Sequence, residues 1–224
     1  MATFVCVKEI VMTNQYVIEQ KSHWDQVYAT KAVDAVSWFE SRAADSLCFL
    51  QKTGVNLMAA IIDIGGGASN FVDDLLALGY NNVTVLDIAE QALLTTKTRL
   101  GARAAEVNWL VCDITKADLP AHSIDVWHDR AVFHFLTSAE DRKAYINNML
   151  NALKPNGHVI IATFAEDGPL KCSGLEIVRY SANSLQAELG ELFALIASEK
   201  VLHLTPSNKA QQFVYCQFRK LGNK

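Results

Sequence analysis

The stretch Ile61-Ile62-Asp63-Ile64-Gly65-Gly66-Gly67-Ala68-Ser69 passes from an apolar segment of strand length through one acid into three consecutive glycines. An apolar run closed by glycines fits a strand covered on both faces, and Phe71 to Gly79 carries helical periodicity. Strand, glycine turn and helix start make the first half of a βαβ unit. Glycines here let the backbone turn sharply and let a ligand approach the main chain. The helix beyond them offers unpaired N–H groups.

Gly65 and Gly67 occupy the first two positions of G-x-G-x-x-G, and Asn70 stands in the third. A carboxylate at Asp63 repels a pyrophosphate but suits a ligand carrying an ammonium group, so a dinucleotide is the poorer fit. Further on, Asn82-Val83-Thr84-Val85-Leu86-Asp87 is a second apolar strand. It ends in an acid about 20 residues past the loop, the placement that receives ribose hydroxyls in nucleotide folds. Taken with Asp63-Ile64-Gly65-Gly66-Gly67, it resembles the class I S-adenosylmethionine-dependent methyltransferase family, whose first motif is an acid, any residue, then Gly-x-Gly. The resemblance runs from about His23 to Arg219. It implies an α/β, Rossmann-like fold: a seven-stranded, mainly parallel sheet with a C-terminal antiparallel strand and helices on both faces. It also implies that S-adenosyl-L-methionine is held by Asp63, Gly65, Gly66, Gly67, Asp87, Ile88, Asp113 and Ile114, with Asp129 and Arg130 at the end of the fourth strand.

The rest of the chain alternates as such a sheet requires. Ile88 to Leu100 reads as a helix stopped by Gly101, and Val107 to Cys112 as a third strand leading to Asp113-Ile114. Ile124 to Arg130 is the fourth strand, Arg142 to Leu153 a helix, Lys154-Pro155-Asn156-Gly157 a turn, and His158 to Phe164 the fifth strand. Ala165 to Asn183 lapses into a long loop of the kind that often carries function. Ser184 to Leu189 is a short helix, and Phe193 to Leu204 with Gln211 to Arg219 make a closing hairpin. Ahead of the first strand, His23 to Tyr28 opens a short helix and Ala35 to Gln51 reads as a longer one. Residues 21–55 thus form N-terminal helices able to serve as a cofactor lid, with Trp24, Tyr28 and Trp38 as its large aromatics. Residues 21–224 read as one methyltransferase domain and 1–20 as an N-terminal extension without an assigned role.

Four predicted strand ends carry acids: Asp63, Asp87, Asp113 and Asp129. Ligands of open α/β sheets bind beyond those ends, so the four belong to one cleft. Trp127-His128-Asp129-Arg130-Ala131-Val132, followed by Glu140-Asp141-Arg142-Lys143-Ala144-Tyr145, is most similar to the thiopurine S-methyltransferase branch. That likeness implies that Arg130 lies near the cofactor or substrate and that Trp24 and Tyr28 lie against the cofactor. His128 and His134 are the imidazoles nearest the expected cleft and the candidate bases. Arg130 is the candidate fork for a carboxylate.

The formal charge is −4, with 20 basic and 24 acidic residues and no long basic run, which disfavours nucleic acid. The five cysteines are odd in number and dispersed, without a C-x-x-C pair, so a reducing cytoplasm is the expected location. No His and carboxylate spacing calls for a metal. Lys8 and Glu9 interrupt the apolar start, against a signal peptide, and no apolar stretch reaches membrane-spanning length. No Asn/Asp-Pro-Pro-Tyr follows the fourth strand and no Pro precedes Cys172, against the DNA-methylating enzymes that carry those motifs. The expected activity is methyl transfer to a small-molecule acceptor, with sulfur, oxygen and nitrogen all open as acceptor atoms. Two rivals stand beside it: methylation of protein lysine or N-terminal amines, and a non-catalytic module that binds S-adenosylmethionine or a partner. Oligomeric state is left open.

Overall fold

The computed structural model describes residues 20–222. The expected N-terminal extension, 1–20, therefore lies almost wholly outside the described residues. Helix α1 covers residues 20–30, and α2 is Ala44–Thr53. The core alternation follows as β1 (Ile61–Ile64), α3 (Phe71–Leu78), β2 (Val83–Asp87), α4 (Glu90–Leu100), β3 (Val107–Val111), β4 (Ile124–Arg130), α5 (Ala139–Ala152) and β5 (Leu153–Phe164). A two-stranded ribbon, β6 (Lys171–Cys172) and β7 (Leu175–Glu176), leads to α6 (Ala182–Leu189), β8 (Phe193–Leu204) and β9 (Ala210–Lys220).

Seven strands form one sheet in the order β3-β2-β1-β4-β5-β9-β8. The first five are mutually parallel, and β9 runs antiparallel to both of its neighbours. The chain moves outward from β1 to β3, then restarts beside β1 with β4. That reversal opens a crevice at the carboxyl ends of β1 and β4, where doubly wound folds place their ligands.

Strand alternation splits the core in two. Ile61, Val126 and Ile160 pack with Phe49 and Leu50 of α2 and Phe71 and Leu75 of α3. Ile62, Trp127 and Ile161 pack with Tyr145 and Met149 of α5 and Leu185 of α6. Both faces are covered, which is why β1 is apolar on successive residues instead of alternate ones. Gly79 ends α3 with φ +92°, its N–H reaching the carbonyls of Leu75 and Leu76. Ser138 caps α5 by accepting from the Asp141 N–H at 3.0 Å.

Three local expectations need correction. The helix expected from Ala35 to Gln51 begins only at Ala44, after a 3₁₀ turn at Val33–Ala35 and an irregular segment over residues 36–43. That segment's backbone is held by tertiary bonds instead. Ser37 O lies 2.8 Å from His203 Nε2, Trp38 O accepts from Arg130, and Glu40 O accepts from Asn70. The turn at 154–157 is a bulge within β5, where the register against β4 jumps from Ile124↔Leu153 to Val126↔His158 and Asn156 takes φ +63°. The loop from Ala165 contains the β6–β7 ribbon.

Candidate active site

A cavity of about 990 Å³, its open mouth included, sits at the carboxyl ends of β1, β2 and β4. It is at the upper end of the roughly 300–1,000 Å³ typical of ligand sites. Its floor comes from strand ends and the turns after them: Ile64 and Gly65, Leu86 to Ile88, Cys112 to Thr115, and Arg130 to Val132. Its roof comes from the N-terminal segment, through Gln20, Trp24, Tyr28 and Trp38, with Phe135 and Cys172 closing the sides. Trp24 meets Trp38 and Phe135 edge to face, with ring centroids 5.6 and 5.1 Å apart. Such edge contacts hold aromatic walls in register.

A second recess of about 530 Å³ shares the Tyr28, Trp38, Ile64, Gly65 and Arg130 walls. It runs under the glycine turn and is bordered by Glu40, Asp63, Gly66, Ser69, Asn70 and His128. The glycines are demanded by close approach. A Cβ at Gly66 would strike Asp63 Oδ2, and one at Gly65, where φ is +67°, would strike Val132.

Of the residues singled out in the sequence, Trp24, Tyr28, Gly65, Asp87, Ile88, Asp113, Ile114 and Arg130 border the main cavity. Asp63, Gly66 and His128 border the inner recess. Gly67, Asp129 and His134 border neither. Gly67 donates its N–H to Asp87 Oδ2 at 3.0 Å, and the Ala89 N–H donates to Oδ1 at 2.8 Å. These bonds aim the Asp87 carboxylate, while burial pushes its pKa up to about 6. Asp113 Oδ1 accepts from the Thr115 N–H and hydroxyl at 2.9 and 2.8 Å.

Asp129 is fully buried. It accepts from the Val132 N–H at 2.9 Å, the Phe133 N–H at 3.0 Å and the Tyr145 hydroxyl at 2.6 Å, and Tyr145 accepts from Trp127 Nε1 at 2.8 Å. The Trp127, Asp129 and Tyr145 positions of the thiopurine-branch motif therefore tie β4 to α5 and hold the tight turn in which Ala131 takes φ +71°. Arg130 spreads over three partners: Tyr215 Oη at 3.1 Å, Trp38 O at 3.0 Å and Glu40 Oε1 at 2.8 Å. Its guanidinium also lies over Phe213, 4.8 Å from the ring centre. His134 is buried, its Nδ1 accepting from the Phe164 N–H at 3.3 Å. Burial pushes its pKa down to about 3, so it is a neutral core imidazole at ordinary pH.

The cavity walls Phe135, Val132, Leu136 and Asp141 were not singled out as site residues in the sequence. They follow the end of β4, and the positional rule for strand ends would have reached at least Val132. Ser46, which touches His128, carries no sequence signal for its role. Among the described residues, no cluster of His, Cys, Asp or Glu could hold a metal ion, and no helix is long and apolar enough to cross a membrane.

These features define a class I methyltransferase fold with its ligand cleft at the switch point. The Methyltransferase domain family matches residues 62–161. Fold and domain together place the chain among the S-adenosylmethionine-dependent methyltransferases, with S-adenosyl-L-methionine as cofactor. The chain is 27% identical over 157 residues to EEF1A lysine methyltransferase 2 of Danio rerio, a match covering 64% of this chain and 67% of that protein. The eEF1A lysine and N-terminal methyltransferase of Bos taurus is 21% identical over 66% of this chain, which spans only 22% of that relative. Among solved structures, the 1,6-didemethyltoxoflavin-N1-methyltransferase of Burkholderia thailandensis, with S-adenosylhomocysteine bound, superposes with a TM-score of 0.66 at 18% identity. That match covers 99% of this chain and 93% of the other.

The residues present fit the cofactor. Asp63 Oδ2 is buried and has no hydrogen-bond partner among the described residues, beneath a glycine turn too tight for any Cβ. Asp87 and Asp113 offer remaining acceptor lone pairs along the same cleft.

Proposed function

We propose that the chain methylates an amine nitrogen of a small molecule. What carries this reading is the aromatic lining of the cavity. Trp24, Tyr28, Trp38 and Phe135 wall a cleft whose carboxylates are Asp87, Asp113 and Asp141 and whose lining cation, Arg130, is paired with Glu40. Aromatic faces and unneutralised acids favour a cationic or flat nitrogen compound. The acceptors for which two relatives are named, a lysine and an N1 position, support the same atom.

When bound, S-adenosylmethionine would supply an electrophilic methyl group to the acceptor's lone pair, its sulfonium S–C bond breaking to leave S-adenosylhomocysteine. The residues of this chain bind and orient. Asp87 would receive ribose hydroxyls, Asp113 and Ile114 would border the base, and Asp63 would face the ammonium of the amino-acid end. The N-terminal aromatics exclude water and hold the acceptor in line, the arrangement from which most of the gain in such transfers comes. Neither His128 nor His134 borders the main cavity, so the amine proton leaves to water or to a rim carboxylate.

A second reading, methylation of a protein lysine, is favoured by the two curated relatives named for that activity. Incubation with methyl-labelled S-adenosylmethionine and a cell lysate, separated by size, tests both. With unreacted S-adenosylmethionine separated chromatographically, label in other small molecules, lost when the lysate is stripped of amines by cation exchange beforehand, supports the first. Label confined to protein overturns it in favour of the second.

A further inference from the structure

His128 has a use other than the base first expected of it. Its Nδ1 lies 2.6 Å from Asp63 Oδ1 and its Nε2 lies 2.8 Å from Ser46 Oγ. The Phe71 ring packs on it at 4.1 Å. A carboxylate only accepts, so Nδ1 carries the proton; with the ring neutral, Nε2 accepts from the Ser46 hydroxyl. Ser46 Oγ in turn stands 3.4 Å from Tyr215 Oη, which accepts from Arg130 Nε at 3.1 Å. With the ring neutral, donors run one way, from Arg130 through Tyr215, Ser46 and His128 to Asp63. The Ser, His and Asp order resembles a hydrolytic triad, but Ser46 is fully buried and borders neither cavity, so no substrate reaches it.

The chain of donors ends on one oxygen of Asp63 and leaves the other unpartnered beneath the glycine turn. The terminal torsion of an aspartate is broad, so a carboxylate bonded at neither oxygen samples many orientations. A bond at Oδ1 selects one. Asp63 and His128 are register partners on neighbouring parallel strands, side by side on the same face, which gives the bond its short reach. We propose that His128, braced by Ser46, is a positioning residue that aims Asp63 Oδ2 at the ammonium of the cofactor's amino-acid end. The proposal rests on the cofactor reading above and adds how the acid beneath the turn is set.

Two ligands separate positioning from packing. S-adenosylhomocysteine carries the amino-acid end, whereas 5′-methylthioadenosine has the same nucleoside and sulfur without it. Their dissociation constants are measured calorimetrically on the full chain and on its His128→Leu, His128→Gln, Ser46→Ala and Asp63→Asn variants. Wild type should prefer S-adenosylhomocysteine. His128→Leu should weaken that ligand by about tenfold or more, the size of effect that partners of a ligating group carry, while 5′-methylthioadenosine changes by less than about twofold. His128→Gln, which keeps an N–H donor, should recover part of the preference, and Ser46→Ala should lose a smaller part. Asp63→Asn should abolish it. Because the quotient of two constants is read on one protein sample, partial unfolding lowers both affinities alike and cancels. If His128→Leu is not obtained folded, Ser46→Ala and His128→Gln decide by the same quotient. Equal weakening of both ligands, or an unchanged preference in every His128 and Ser46 variant, overturns the proposal while leaving the cofactor reading intact. Failure of wild type to bind either ligand overturns the cofactor reading and the proposal with it.

Discussion

Asp129 and Asp63 are buried carboxylates on adjacent strands, and they differ in one respect that separates support from binding. Asp129 faces the α5 side, where both of its oxygens are taken by Val132, Phe133 and Tyr145. Asp63 faces the α2 and α3 side, where one oxygen is taken by His128 and the other has no partner among the described residues. A buried polar group left unsatisfied is costly, so it persists where something outside the chain completes it. Asp129, completed from within, holds a turn. Asp63, completed on one side only, faces a ligand recess.

The sharpest break of this contrast is Asp129→Ala. It strands two N–H groups and a hydroxyl in a dry core, and roughly 3 kcal/mol or more of stability should be lost. Urea unfolding checks it. In the fraction that folds, the preference between the two ligands described above should persist; a lost preference would make Asp129 part of the binding site.

Asp87 stands between the two extremes, since both oxygens accept backbone N–H groups and yet it borders the cavity. Asp87→Ala should weaken S-adenosylhomocysteine by about 1–3 kcal/mol, and unchanged affinity in a folded variant would end its ribose role. Burial holds this carboxyl up at about 6. Below that pH it is protonated and accepts weakly; above it the carboxylate accepts strongly. Affinity for S-adenosylhomocysteine should therefore climb between pH 5 and 7.5 in wild type, with the climb removed in Asp87→Asn. Asp129 titrates in the same range, raised to about 6 by burial, but it borders no cavity and leaves that profile alone.

The smallest effect belongs to Arg130→Lys. A lysine keeps the charge for Glu40 but loses the planar reach to Trp38 O and Tyr215 together. Residues 36–43 should loosen, with a fall of about 1–2 kcal/mol in stability and a several-fold rise in the cofactor's dissociation constant. Faster hydrogen exchange over 36–43 is the direct measure. No change there would show that the fork does not hold the roof.

The fold was legible because its signals are local. β1, β2 and β4 are apolar runs with an acid near the end, and glycine stops at 79 and 101 mark where helices finish. The antiparallel finish followed from two strand patterns joined by Thr205-Pro206-Ser207-Asn208. Residues 36–43 were misread because Val36, Phe39 and Ala43 carry helical spacing, whereas the backbone there is bonded by His203, Arg130 and Asn70, distant in sequence. Propensity is a weak prior against such tertiary bonds.

The sequence alone determined the class of fold, the glycine turn and the acids that follow the strands. Those depend on periodicity and on close backbone approach, which neighbouring residues specify. Which acid is closed and which is open was decided only in three dimensions. Alternation along β4 sends Trp127 and Asp129 to one face and His128 and Arg130 to the other. What each side chain then meets is set by segments far away in sequence, as Ser46 is 82 residues from His128 and Trp38 is 92 from Arg130. A hydrogen-bond partner brought in from that distance leaves no mark on the residues around the acid it completes.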